Sequence, residues 1–139
     1  FYMYKHILVP MALDHGIGDL TIKIARTLLD EGGKITALHV HEAPNNTVGL
    51  YVDQEVVDSA FTRAQAQMKD RIAAMDGVEA MTVQGHSGRT IVDTATKLAV
   101  DCIVLGSHKP GLIDYLLGST AARVVQHAPC AVHVARNPA

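Results

Sequence analysis

The chain has 139 residues and a mass of 14.9 kDa, enough for one domain that buries its own core without staples. Hydrophobic residues make up 48% and charged residues 19%, which excludes a disordered chain. A formal charge of -2 and an isoelectric point near 6.5 give no broad electrostatic pull toward nucleic acid or an anionic membrane.

The two cysteines, Cys102 and Cys130, sit within or beside the apolar runs CIVL and CAV and read as buried, reduced thiols. No stretch approaches the ~18–20 apolar residues of a membrane-spanning helix, and no signal peptide precedes the first strand, so a cytoplasmic protein is expected. Met3 is expected to be the native start, with Phe1 and Tyr2 standing before it.

KHILVP at 5–10 is a short buried run ended by proline, a first strand. Helical spacing of Ile17, Leu20, Ile24 and Leu28 predicts a helix over 17–30, stopped by Gly32 and Gly33. A second strand is expected at 35–40. Residues 42–52 carry turn residues without a period and read as a loop of the kind that often binds or covers a ligand. A second helix follows over about 53–75, with Val57, Phe61, Ala64, Met68, Ile72 and Met75 as its core stripe. Strand three is 78–84. Ser87 is a plausible N-cap for helix three, whose apolar face is Ile91, Val92, Ala95, Leu98 and Ala99. Strand four covers 101–106, a fourth helix 119–127 and a fifth strand 131–135. Strict β-α alternation of this kind predicts an α/β fold with a parallel sheet, helices on both faces and right-handed crossovers. Ligands of such sheets bind beyond the carboxyl ends of the strands, where the strand order reverses.

The stretch GSHKPGLIDYLLGST, residues 106–120, joins the end of strand four to helix four. Gly106 lets backbone approach a ligand, and Gly118 allows a tight turn. Ser119 and Thr120 then place hydroxyls and unpaired N–H groups at a helix N-terminus, which suits phosphate oxygens, and Lys109 adds a cation. An ordinary helix entry would use the same glycine and serine. Neither the P-loop pattern nor the dinucleotide fingerprint is present.

With KHILVP, the ALHV strand at 37–40, the closing CAVHV at 130–134 and this loop together, the chain resembles the universal stress protein A family over nearly its whole length, as one domain spanning 3–136. The nucleotide-binding branch of that family carries G-x2-G-x9-G-S/T after strand four. SHKP at 107–110 and YLLGS at 115–119 look most like the F and G types. The resemblance implies a Rossmann-like sandwich with sheet order 3-2-1-4-5, bound ATP or AMP with or without magnesium, and a homodimer paired through strand five. It implies an adenine near Pro10, Ala12 and Val40, and ribose and phosphates near Gly106, His108, Lys109, Gly118, Ser119 and Thr120. Two departures stand out. Ala12 replaces the acid that usually bonds the adenine, which leaves base recognition to backbone groups or to Asp14. Lys109 replaces the second glycine of the motif, in a loop one residue shorter.

Of eight histidines, His15, His41, His86 and His108 each follow a strand end and ring the expected crevice. They could be phosphate contacts, a metal site or merely solvated groups. His39 is expected between sheet and helix, facing away from Val40, and His133 falls on the expected dimer strand. Arg89, in the first turn of helix three, could reach a phosphate or lie in solvent. No Ser-His-Asp or Cys-His arrangement is readable from the spacing, which points away from an efficient enzyme. A regulatory dimer that binds adenine nucleotide and signals to a protein partner is the leading expectation. The alternatives are slow ATP hydrolysis or self-modification, with Asp14 as candidate base, and a dimer that has lost its nucleotide.

Overall fold

Apolar runs become strands, and their alternation decides how the sheet is covered. The computed structural model describes residues 3–13, 18–42, 54–107 and 117–136. In chain order these form β1 (Tyr4–Pro10), α1 (Gly18–Leu28), β2 (Leu29–His41), α2 (Gln54–Ala73), β3 (Val78–Gln84), α3 (Ser87–Leu98), β4 (Cys102–Gly106), α4 (Ser119–His127) and β5 (Ala131–Ala135). All strand pairs are parallel, and their order is β3-β2-β1-β4-β5. This is the α/β architecture expected.

Successive side chains on a strand point to opposite faces, so the central strands feed two cores. Ile7, Val9, Ile35, Ala37, Cys102 and Val104 pack with Ile22, Ala25, Met68 and Ile72 under α1 and α2. Leu8, Leu38, Ile103 and Leu105 pack with Ile91, Ala95, Ala121 and Val124 under α3 and α4. Each core is aliphatic. Among the described residues, no helix is long and apolar enough to cross a membrane.

Several local expectations change. Helix α1 stops at Leu28, and the chain enters β2 at once, which therefore has 13 residues. Leu29 already pairs with Tyr4, and the register shifts before His6 pairs with Lys34. Gly32, at φ +82°, absorbs that irregularity, so the glycines lie inside the strand and do not cap the helix. On α1, Ile24 and Leu28 pack against the core as expected, but Leu20 does not. Thr21, Ile22 and Ala25 are buried while Leu20 is exposed, because the helix packs its small residues closest to the sheet. Ala99 leaves the face of α3 to become its left-handed C-cap, at φ 53°. Both cysteines are free thiols, but only Cys102 is buried, and Cys130 is half-buried. Burial, with Cys130 nearby, pushes the Cys102 thiol up to about 11.

The N-terminal ends of β1 and β4 are bolted together by one carboxylate. Asp101 accepts hydrogen bonds from the Lys5 and His6 N–H groups at 2.8 and 2.9 Å, and its own N–H donates to the His6 carbonyl at 3.0 Å. Burial opposes the charge, but these N–H groups outweigh it and hold the carboxyl below its ordinary 3.8. A carboxyl lowered in this way stabilises the fold above its unfolded-state pKa, and that contribution is lost as pH falls through the folded value. Asp101→Asn turns one acceptor into a donor facing an N–H. It should cost about 1–2 kcal/mol near neutrality, the range for exposed charge-assisted bonds. In urea unfolding, the gap from the parent should close below about pH 4.

Candidate functional site

The strand order reverses between β1 and β4, so their carboxyl ends diverge and leave a crevice. A cavity of about 230 Å³ opens there, lined among others by Pro10, Leu38, Val40, Ile91, Leu105 and Gly106. Met11 and Ala12 lie at its β1 side and Thr120 at its α4 side. Most of this wall is aliphatic, as a slot for a flat ring requires.

The backbone around the slot is largely engaged. The Met11 N–H donates to the Leu38 carbonyl at 2.8 Å, the last rung between β1 and β2. His39 Nδ1 lies 3.1 Å from the Met11 carbonyl. Arg71, reaching from α2, donates one N–H nitrogen to the carbonyls of Ala12 and Leu13, each at 3.1 Å. In a parallel strand the groups of one residue face one neighbour, and those of the next face the other. Leu38 faces β1, and His41 faces the β3 side, where its carbonyl accepts from Gly85 at 3.1 Å. Val40 therefore presents its N–H and C=O toward the crevice, beyond the last rung of β1.

A second cavity, of about 690 Å³, adjoins the first and shares Ser87 and Thr120 with it. It is lined by Glu42, His86, Gly88, Arg89, Ser119 and Arg123 as well. The N-termini of α3 and α4 both open into it, so first-turn N–H groups that have no acceptor within their own helix converge there with Arg89 and Arg123. Gly118 is the N-cap of α4, and its N–H donates to Ser107 Oγ at 3.2 Å, which ties the helix to the end of β4. Gly88 brings α3 close to α4. A Cβ there would stand 2.8 Å from Arg123 Cδ.

Ser87 is not the N-cap. His86 holds that position without a side-chain cap bond. The cap comes instead from the end of β2. Glu42 Oε1 accepts from the Ser87 hydroxyl at 2.7 Å and from the Ser87 N–H at 3.0 Å. These two bonds, with the hydroxyl first and the His86 charge a lesser aid, hold the Glu42 carboxyl below its ordinary 4.5. His86 Nδ1 is 3.7 Å from the same oxygen.

Of the residues singled out in the sequence, Pro10, Ala12, Val40, Gly106 and Thr120 meet in the smaller cavity. Ser119 and Thr120 line the larger one, with Gly118 at the helix entry beside it. His108, Lys109, Asp14 and His15 lie outside the described residues, as does the loop expected over 42–52 apart from Glu42. His41 turns away and packs edge-on against Phe61, with ring centres 5.9 Å apart. His39 is half-buried and lines the smaller cavity together with Val40. His86 and Arg89 line the larger cavity, and Arg89 also leans toward Asp93 at 4.0 Å. Among the described residues no group of three or more His, Cys, Asp or Glu could hold a metal. Glu42 and Arg123 were missed. Arg123 lies four residues after Ser119, on the same side of α4, so helical spacing could have found it.

A family model described as "Universal stress protein family" matches residues 3–136. The chain belongs to the universal stress protein family. It is 29% identical to universal stress protein G of Salmonella typhimurium over 96% of this chain and 100% of that protein, which fits the G-type resemblance of its loop. Among solved structures it is similar to universal stress protein UspA from Lactobacillus plantarum, at 26% identity and a TM-score of 0.75, covering 98% of this chain and 100% of that one. It also shares the fold of a universal stress protein family protein from Arabidopsis thaliana with AMP bound, at 19% identity and a TM-score of 0.61, covering 97% and 93% of the two chains.

Within this universal stress protein fold, Glu42 and Ser87 form a long-range cap whose titration can be read directly. Ser87→Ala removes the shorter bond and should move the Glu42 carboxyl up toward its ordinary 4.5. An NMR pH titration of the Glu42 side chain checks this. An unmoved carboxyl would mean that the hydroxyl does not set it.

Proposed function

We propose that this chain is a regulatory module that binds an adenine nucleotide, with the base in the smaller cavity and the phosphates at the N-terminus of α4. The observation that carries this reading is the meeting of an aliphatic slot with a helix N-terminus at the point of strand reversal. Val40 presents an adjacent donor and acceptor to the slot, and the amino group and ring nitrogen on one edge of adenine match that pair. Thr120 borders both cavities, so a nucleoside with its base against Pro10 and Val40 carries its phosphate toward Ser119 and Thr120. His108 and Lys109, on the connecting loop, are proposed as further phosphate contacts. The AMP bound by the Arabidopsis relative speaks for the same class of ligand.

The working unit is a homodimer formed through β5. That strand is short and at the edge of the sheet, with Ala131 and His133 exposed, so its outer backbone groups are open to a second copy. Ligand binding in the crevice then changes the surface shown to a protein partner in the cytoplasm under stress. Sedimentation velocity should return the mass of two chains.

Saturating AMP, at a hundredfold excess over Kd, should raise the melting temperature of the stripped protein by about 5 °C or more. No shift with AMP or ATP at millimolar concentration would sink the proposal. Ala12→Asp supplies the missing acid beside the base. One charge-assisted bond of about 1.5–3 kcal/mol should tighten AMP about tenfold or more, with less gain for GMP, as read by calorimetric titration.

A further inference from the structure

Glu42 places a carboxylate inside the cavity that would receive phosphates, and its effect depends on how much charge the ligand brings. The carboxylate is not a solvated bystander. It is held by two hydrogen bonds from Ser87, and it shares the cavity wall with Ser119, Thr120 and Arg123. It occupies the N-terminus of α3, the half of the site that an anion would otherwise use. It also cancels one of the two arginine charges lining the cavity, and Arg89 is already drawn toward Asp93. Size sets no limit, since about 690 Å³ is ample for a chain of three phosphates. Charge does.

We infer that Glu42 is a specificity-determining residue that makes the crevice select a nucleoside monophosphate over the corresponding triphosphate. This rests on the nucleotide-binding reading and names the ligand class within it. A single phosphate monoester carries roughly -1.5 to -2 and is matched by the α4 N-terminus, Arg123 and the proposed contact Lys109. Each further phosphate brings about one more negative charge toward Glu42, at a range where like charges repel strongly even with solvent screening. Glu42 is half exposed, which moderates the penalty to about tenfold in affinity. The repulsion is built in, because moving Glu42 aside exchanges both of its bonds from Ser87 for bonds to water.

Glu42→Gln tests this, since the amide oxygen can keep accepting from Ser87 while the charge is gone. AMP and ATP are titrated calorimetrically into the parent and the variant without divalent metal. The parent should bind AMP more tightly than ATP. The variant should gain at least tenfold more affinity for ATP than for AMP, which reverses or abolishes the preference. Glu42→Asp retains the charge and should retain the preference, and this separates charge from helix capping. Equal gains for both nucleotides, or a parent that already prefers ATP, would overturn the inference. Inorganic tripolyphosphate and orthophosphate, titrated alongside, keep the two readings apart. A variant that binds tripolyphosphate more tightly while no nucleotide binds supports the role of Glu42 and rejects the nucleotide. A tripolyphosphate affinity equal in parent and variant, with no nucleotide bound by either, rejects both.

Discussion

The parallel contact between β1 and β4 is the constraint on which the rest of the molecule depends. These strands are neighbours in space but separated in the chain by two other strands and three helices. Closing a loop of that length has an entropic cost that local propensity cannot meet. The contact is held by backbone pairing at Ile7 with Cys102 and Leu8 with Ile103, and by the Asp101 carboxylate below it. Once it forms, α1 and α2 fall on one face and α3 and α4 on the other, because right-handed crossovers in opposite directions leave no other arrangement. The crevice is the same constraint seen from the other end. Strands tied at the bottom and continuing into different faces must part at the top.

What the sequence made legible follows from this division between local and long-range forces. β3, α4 and β5 were read at their observed bounds, because an apolar run or helical period between turn residues decides each locally. The stripe on α2 was read correctly for Ala64, Met68 and Ile72. The start of β2 was not legible. Leu29–Gly33 has helix-compatible residues followed by glycines, and only pairing with Tyr4 makes it a strand. The face of α1 is legible only in part: Ile24 and Leu28 pack against the core, but Leu20 is exposed while Thr21 and Ala25 are buried for their small size.

The candidate site divides in the same way. Gly118, Ser119 and Thr120 could be read because a helix entry after a strand is a local pattern with a known electrostatic consequence. Pro10 and Val40 are reached only through family resemblance, and the parallel register of β1 and β2, with Pro10 beside Leu38, explains why they meet. Glu42 and Ser87 are 45 residues apart and carry no motif, so no spacing argument reaches their bond. Arg71 is still further from Ala12, and its hold on that carbonyl was equally invisible.

Glu42 also shows why such a residue belongs in a ligand crevice. Two helix N-termini facing one cavity bring N–H donors that lack acceptors within their own helices. A carboxylate carried on the end of β2 accepts from the Ser87 N–H and hydroxyl at the α3 terminus, at low cost, since it is only half buried. The α4 terminus has no side-chain cap. One terminus is therefore committed to the stability of the fold and the other remains available to a ligand. The bond that caps α3 thus also sets the charge that this wall of the cavity presents.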